Sequence, residues 1–337
     1  MKGRRVLLVG GAGYIGSHCA LLLREAGAEA VVYDDLSTGF AGAVAGRLIR
    51  GDVRDRERLT AVLRDGRFDA VMHFAARLLV GESVEHPLRY FDTNVAGTCA
   101  LVQCMADAGV RDLVFSSSCA VYGEPRYLPL DEDHPFAPVS PYGLSKVMVE
   151  QVLDACRERE GFRIASLRYF NAAGADPEGR FGEAHDPETH LIPLALEAAS
   201  GWRTIRVFGR DWPTPDGTCI RDYVHVLDLA RAHNLALAAL WDGHPGRAWN
   251  VGTGAGSSVL EVIASVERVT GRPVPREDAP RRDGDPPALY TQADALRRDL
   301  GWTPRYPDLD VLVAHAWRWH QAPRYGRHAR QAGSPRS

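Results

Sequence analysis

Four glycines within seven positions, Gly10, Gly11, Gly13 and Gly16, directly follow the apolar run Val6–Val9 and open an amphipathic stretch that begins at Ile15. They fit G-x-x-G-x-x-G and, counted from Gly11, G-x-G-x-x-G. Glycine tolerates positive φ, and it lets a pyrophosphate approach the backbone closely at the positive end of a helix. Many turns need glycines, so the run alone says little. Here a strand pattern, a helix pattern and an acidic residue at the end of the second strand, Asp34, occur in register. Asp34 can accept both ribose hydroxyls of NAD and would repel the 2′-phosphate of NADP. A structural turn capped by an aspartate is the plain alternative. Further on, Asp52 suits either an adenine contact or a helix N-cap.

The first half alternates short apolar runs with helical patterns, which indicates a parallel sheet wrapped by helices. Strands are expected at Val6–Val9, Ala30–Tyr33, Ala70–His73, Leu113–Ser116 and Ile164–Leu167. Helices are expected at Ile15–Ala26, Arg56–Arg64, Pro87–Ala108 and Pro141–Glu160. The fold class is α/β, a doubly wound Rossmann sheet over residues 1–171 of a size suited to a dinucleotide. After Asn171 the texture changes to glycine, proline and acid in AGADPEGRFGEAHDPE. Shorter elements follow: helices near Leu191–Ala199, Leu227–Leu240 and Val259–Thr270, and strands near Thr204–Phe208 and Ala248–Val251. These predict a smaller α/β substrate domain over residues 172–320. Residues 321–337 lack periodicity and read as a disordered tail. No internal repeat is present.

Composition narrows the function classes. A chain of 337 residues with 45% apolar and 25% charged residues is ordinary for a globular protein. A net charge of -3 leaves no overall basic footprint for nucleic acid. The opening MKGRRVLLVGG resembles a signal peptide, but its apolar run breaks at Gly10, too soon for a secretory segment. No stretch approaches the roughly 18 apolar residues of a membrane span. The six cysteines, Cys19, Cys99, Cys104, Cys119, Cys156 and Cys219, form no C-x-x-C pair. They read as reduced, buried thiols of a soluble cytoplasmic protein, and no metal site is expected.

Two further features carry chemistry. Ser116, Ser117 and Ser118 close a strand, where a doubly wound sheet presents residues to its ligand. Tyr142 and Lys146 lie four apart in Tyr-Gly-Leu-Ser-Lys, and on a helix they share a face. An ammonium beside a phenol stabilises the phenolate and lowers its pKa from about 10 toward working pH. A bound nicotinamide would push the same way. Tyr-x-x-x-Lys is common by chance, but Lys2 and Lys146 are the only lysines among 40 lysines and arginines. Arginine does not replace a compact charge whose pKa must shift. The alternative is a surface lysine on an amphipathic helix.

With its glycine-rich opening, Ser118, Tyr142 and Lys146, the chain resembles the extended short-chain dehydrogenase/reductase family to about residue 320. The segments HFAA (73–76), VGES (80–83), SPYGLSK (140–146), LRYFNAAGADP (167–177), RDYVHVLDLA (221–230) and RRDGD (281–285) look like those of its members that epimerise UDP-hexoses. The resemblance implies that Asn171, Arg221, Arg282 and Asp285 contact the UDP moiety, which suits arginine forks on a diphosphate. It also implies that Tyr169 and Phe170 line the nicotinamide face. Candidate cofactor contacts are then Gly10, Gly13, Tyr14, Ile15, Gly16, Asp34, Asp52, Val53, Phe74, Ala75, Tyr142, Lys146 and Tyr169. Candidate substrate contacts are Ser118, Tyr142, Asn171, His190, Leu191, Arg221, Arg282, Asp285 and Leu289. Four positions depart from the commonest pattern: Leu78 stands for a lysine, Cys119-Ala120 for Ala-Thr, and His190 for asparagine.

The implied reaction uses Tyr142 as base on the sugar's 4-hydroxyl while carbon 4 passes hydride to NAD. Ser118 bonds the reacting oxygen, Lys146 holds tyrosine and ribose, and the 4-keto sugar turns about its diphosphate before reduction on the other face. A 4,6-dehydratase or decarboxylase is the nearest rival, but Cys119-Ala120 offers no carboxylate for elimination. A non-catalytic dinucleotide sensor would have no need of Ser118, Tyr142 and Lys146 together. Helical faces in 87–108 and 141–160 suggest a homodimer. Leu289, where permissive members of the family carry something smaller than tyrosine, points to tolerance of N-acetylated sugars, unless Tyr290 fills that space.

Overall fold

The computed structural model describes residues 1–282 and 284–326. Its centre is a parallel sheet of seven strands: β1 (Arg5–Val9), β2 (Glu29–Asp34), β3 (Arg47–Arg50), β4 (Ala70–His73), β5 (Asp112–Ser116), β6 (Arg163–Tyr169) and β10 (Ala248–Val251). They run in the order β10-β6-β5-β4-β1-β2-β3. All five expected strands are present. The edge strand β3 is absent from the expected runs, because RLIR puts two apolar residues between two arginines and shows no clear run. The order reverses between β1 and β4. In such a sheet the crevice outside the carboxyl ends at the reversal is where a ligand sits.

Helices cover both faces. On one side α1 (Tyr14–Glu25) packs on α8 (Val226–Trp241), and Cys19, Leu23, Leu229 and Leu237 are buried with Val6, Leu8 and Trp249. On the other, α2 (Arg56–Gly66), α5 (Gly97–Asp107) and α6 (Pro141–Glu160) bury Leu59, Leu101, Met105 and Val149 against Leu7, Val71 and Phe115. Strands buried on both faces read as continuous apolar runs, which is why the sequence revealed them. α3 (Val80–Glu85) and α4 (Pro87–Tyr90) precede α5. Where one helix was expected over 87–108, α4 and α5 are joined by a wider π-type segment, Phe91–Ala96. Such segments mark functional sites more often than chance. Here Asn94 uses it to accept from the Arg77 amide (2.8 Å) and to donate to Ser145 (2.9 Å).

The second half does not stand apart as the texture change suggested. β10 pairs with β6 and α8 backs α1, so residues after Asn171 complete the large sheet. The remaining strands, β7 (Asn171–Ala173), β8 (Ile205–Phe208), β9 (Ile220–His225), β11 (Gly256–Ser258), β12 (Arg276–Ala279) and β13 (Ala288–Leu289), make two small sheets. With α7 (Leu191–Ala199), α9 (Val259–Thr270) and α11 (Leu309–Gln321) they enclose a core of their own around Ile192, Val207, Val266 and Leu312. α10 (Asp294–Leu300) packs under α8.

The expected disordered tail needs correction where it is described. Gln321 ends α11, and Tyr325 is buried, its hydroxyl accepting from the Gly182 amide (3.0 Å) and donating to the Gly182 carbonyl (2.8 Å). One aromatic anchor holds this segment without any periodic pattern. Residues 327–337 lie outside the described residues.

Among the described residues no helix is long and apolar enough to cross a membrane. All six cysteines are free thiols; Cys99 is exposed, contrary to the expectation of burial.

Candidate active site

A cavity of about 670 Å³ follows the carboxyl edge of the sheet. The turn after β1 forms one end. Gly10 has φ +81°, and a Cβ there would stand 2.3 Å from the Ala75 amide nitrogen, so only glycine fits between β1 and the segment after β4. α1 then starts at Gly13 with no side-chain cap and no acidic residue in its first turn. Its first-turn amides and positive end are left for an anion. Gly10, Gly13, Tyr14, Ile15 and Gly16 all line the cavity.

Asp34, at the end of β2, is buried and accepts from the amides of Ala12 (2.9 Å) and Leu36 (2.8 Å). Burial raises its pKa, and the two amides oppose that rise. The carboxylate thus braces the glycine turn and faces the cavity as well. Asp52 and Val53 border the same space. The N-cap of α2 is Asp55, which accepts from the Arg58 amide, and Asp52 is instead paired with Arg54 at 2.6 Å. Phe74 and Ala75, after β4, form the facing wall.

At the other end Ser118, Tyr142, Tyr169, Phe170 and Asn171 meet. Ser140 caps α6 by accepting from the Gly143 amide, with Pro141 in the first turn. A Cβ at Gly143 would lie 2.5 Å from the Ala120 carbonyl oxygen, so glycine lets α6 press against the turn that carries Ser118. That contact places Ser118, whose hydroxyl accepts from the Ala120 amide (3.2 Å), on the same stretch of cavity wall as Tyr142. Tyr169 shares a 2.8 Å hydrogen bond with Ser116 and completes the wall.

The electrostatics differ from expectation. Burial pushes the Tyr142 pKa up to about 12, and the nearby Ser118 hydroxyl only partly offsets it. Lys146 donates to the Ser116 carbonyl (2.8 Å), 5.9 Å from the centre of the Tyr142 ring, so it makes no bond to the phenol. It lies behind the cavity wall, and burial lowers its own pKa to about 8. Desolvation is the largest cause of the rise in the protein alone.

Of the nine candidate substrate residues, Ser118, Tyr142, Asn171 and His190 line the cavity. The other five do not. Leu191 begins α7 and packs into its core. Arg221 and Asp285 form an ion pair at 3.3 Å, and the Arg221 charge reaches Cys119 on the wall. The Arg282 guanidinium lies 3.8 Å over the Phe208 ring. Leu289 stands opposite Arg221 in the β13–β9 pairing and packs against the cluster of Phe170, Tyr122 and Cys119. Tyr290 lies beside Gly256 instead, so Leu289 is the residue directed toward the catalytic side.

Some functional neighbours escaped the sequence reading. Tyr325 and Glu183 border the cavity. Beneath it Glu150 is buried with Arg168 (2.6 Å) and accepts from Ser117 (2.5 Å), while Tyr122 bonds Arg168 and Asn250. These residues are scattered along the chain, and no spacing marks them. The spacing E-x-H-x-x-E-x-H over 183–190 was a visible signal. It sits in a segment that reads as loop, where no helical or strand period frames the spacing.

Residues 6–252 match the model of the NAD dependent epimerase/dehydratase family. The chain is 48% identical over 324 residues to the UDP-glucose 4-epimerase of Halalkalibacterium halodurans, covering 95% of this chain and 97% of that one. The crystal structure of UDP-glucose 4-epimerase from Brucella ovis in complex with NAD is similar with a TM-score of 0.92 and 47% identity, covering 94% of this chain and 98% of that one. A UDP-glucose-4-epimerase from Stenotrophomonas maltophila, with bound NAD and formylated UDP-arabinopyranose, gives a TM-score of 0.91 at 42% identity and covers 94% and 97% of the two chains.

Proposed function

The chain belongs to the NAD dependent epimerase/dehydratase family, and we propose that it is a UDP-hexose 4-epimerase that interconverts UDP-glucose and UDP-galactose with NAD held throughout the cycle. The observation that carries this reading is that Ser118 and Tyr142 meet at the far end of the cavity whose near end is the Gly10–Asp34 cradle.

The residues suit NAD. The uncapped start of α1 takes the pyrophosphate, and Asp34 takes the adenosine ribose hydroxyls. Asp52 and Val53 border the adenine, and Phe74, Ala75 and Tyr169 border the rest of the cofactor. When bound, NAD supplies a reversible hydride acceptor for carbon 4 and a positive ring whose field opposes the burial that raises Tyr142. Tyr142 takes the proton of the 4-hydroxyl and later returns it. Ser118 donates to the reacting oxygen and keeps the phenol oriented. Lys146, fixed on the Ser116 carbonyl, holds a positive charge behind the phenol and toward the nicotinamide ribose. Asn171 and His190 from the cavity, together with Arg221, Arg282, Asp285, Leu191 and Leu289, bind UDP and border the sugar. Anchoring by the diphosphate leaves the sugar free to present either face. Cys119 and Ala120 line the wall where elimination of water would need a carboxylate, which disfavours a dehydratase.

In this reading residues up to about 171 carry the cofactor and residues 172–320 hold the UDP-sugar, while 226–251 return to brace the sheet. Exposed Val80, Val84, Leu88, Leu144 and Met148 on α3, α4 and α6 form an apolar face suited to a second copy, and the protein works as a homodimer. Six free thiols suit the cytoplasm. Incubation of the isolated protein with UDP-galactose and no added cofactor tests the function. UDP-glucose is the expected product; a dehydrated ketosugar, or no product, would overturn the proposal.

A further inference from the structure

Glu183, His185, Glu188 and His190 lie within eight residues on the loop between β7 and α7, and their donor atoms are all within 4.8 Å of one another. Nδ1 of His185 and Nδ1 of His190 stand 2.9 and 2.7 Å from the same Glu183 oxygen, Oε1. Nδ1 of His190 is 3.3 Å from Glu188 Oε1, and Nδ1 of His185 is 3.9 Å from Glu188 Oε2. Ligands about 2.0–2.1 Å from a tetrahedral ion stand about 3.3 Å apart. The four separations fall on both sides of that value, so small side-chain adjustments would bring all four donors to one centre.

The chemistry of the set is also suitable. Two imidazoles and two carboxylates are borderline ligands of the kind zinc takes, and the two carboxylates balance its charge. The Glu183 and Glu188 side chains are only 6% and 9% exposed, whereas His190 is 39% exposed and lies on the cavity wall. An ion therefore has a way in from the cavity to a largely buried carboxylate pair. We propose that this loop binds one divalent transition-metal ion, zinc being the best chemical match, through Glu183, His185, Glu188 and His190. Four protein donors leave no open position, so the ion is structural. It joins the loop whose Glu183 carbonyl accepts from Trp319 (2.8 Å) on α11 to His190 at the head of α7. Ligation would tie the smaller sheets to the cavity mouth, and because it uses only Nδ1 of His190 it leaves the other ring nitrogen for the role proposed above.

The test uses the full chain stripped with chelator, dialysed and titrated with zinc, then with cobalt(II) as a spectroscopic substitute. One zinc per chain is expected, with a raised unfolding temperature, and cobalt should give visible absorption of tetrahedral intensity without a thiolate band. His185→Gln and Glu188→Gln should each lower bound zinc at least about tenfold, with unchanged circular dichroism. Less than about one tenth of an equivalent in the parent would overturn the proposal. So would a thiolate band, which moves the ion to cysteine, or equal binding in the two variants. If a variant misfolds, the parent's stoichiometry and cobalt spectrum decide alone.

Discussion

The Lys146 ammonium makes its 2.8 Å hydrogen bond to the Ser116 carbonyl and stands 5.9 Å from the centre of the Tyr142 ring. The lysine is therefore a fixed charge behind the phenol rather than its hydrogen-bond partner. In that position it is itself strained electrostatically, which makes its titration observable.

Burial holds the Lys146 pKa at about 8, against about 10.4 in an unfolded chain. Between those values the unfolded chain still carries a proton that the folded chain has lost, so stability of the cofactor-free protein rises with pH. Below about pH 8 both states are charged, and this contribution is flat. Lys146→Met removes it. The variant should be more stable than the parent by about 1–3 kcal/mol near neutral pH, with the advantage shrinking toward about pH 10. Urea unfolding across that range measures it; an advantage independent of pH would contradict the burial argument.

Tyr142→Phe removes the only proton-transferring atom of the residue while preserving its packing. Turnover on UDP-galactose should fall at least about a hundredfold, with bound NAD retained. Single-turnover kinetics together with nucleotide content check both parts, and near-normal turnover would remove Tyr142 from the role of base.

In the proposed reading Asp34 presents a carboxylate where NADP would place a phosphate, so the parent should bind NAD more tightly than NADP. Because Asp34 also accepts from Ala12 and Leu36, Asp34→Asn is the cleaner substitution, and Asp34→Ala should cost stability too. Calorimetric titration of cofactor-stripped protein should show the preference narrowing in both. Equal affinities in the parent would refute the reading.

Leu289 packs against the cluster that includes Phe170 of the cavity wall, with Tyr290 beside Gly256, and in the proposed reading it is the residue that bounds the sugar from behind that wall. We expect measurable epimerisation of UDP-N-acetylglucosamine. Leu289→Tyr should lower the ratio of specificity constants, N-acetyl sugar over glucose, by roughly ten- to a hundredfold, because overpacking costs about 1–3 kcal/mol. A parent inactive on the N-acetyl sugar would end this idea.

Tyr325 stacks on Phe40 (5.5 Å between ring centres), packs on Trp319 (4.7 Å) and bonds both polar groups of Gly182. Tyr325→Ala should destabilise the protein by on the order of 3 kcal/mol. A melting temperature equal to the parent's would show that the segment does not contribute to folding.

The sequence by itself determined the parallel sheet, the glycine cradle and the Ser118, Tyr142 and Lys146 set. Strands buried on both faces must be apolar runs, a tight turn must be glycine, and helix neighbours four apart must share a face; each is a local rule written in adjacent residues. Tertiary structure alone decided that β10 and α8 return to the first sheet, since pairing with β6 depends on which edge is free. It also decided that Tyr325 borders the cavity, that Leu289 rather than Tyr290 joins the Phe170 cluster, and that Glu183 gathers two imidazoles. Direction, register and desolvation are properties of packed neighbours, and so is the rise of Tyr142 to about 12 where its spacing from Lys146 suggested a fall.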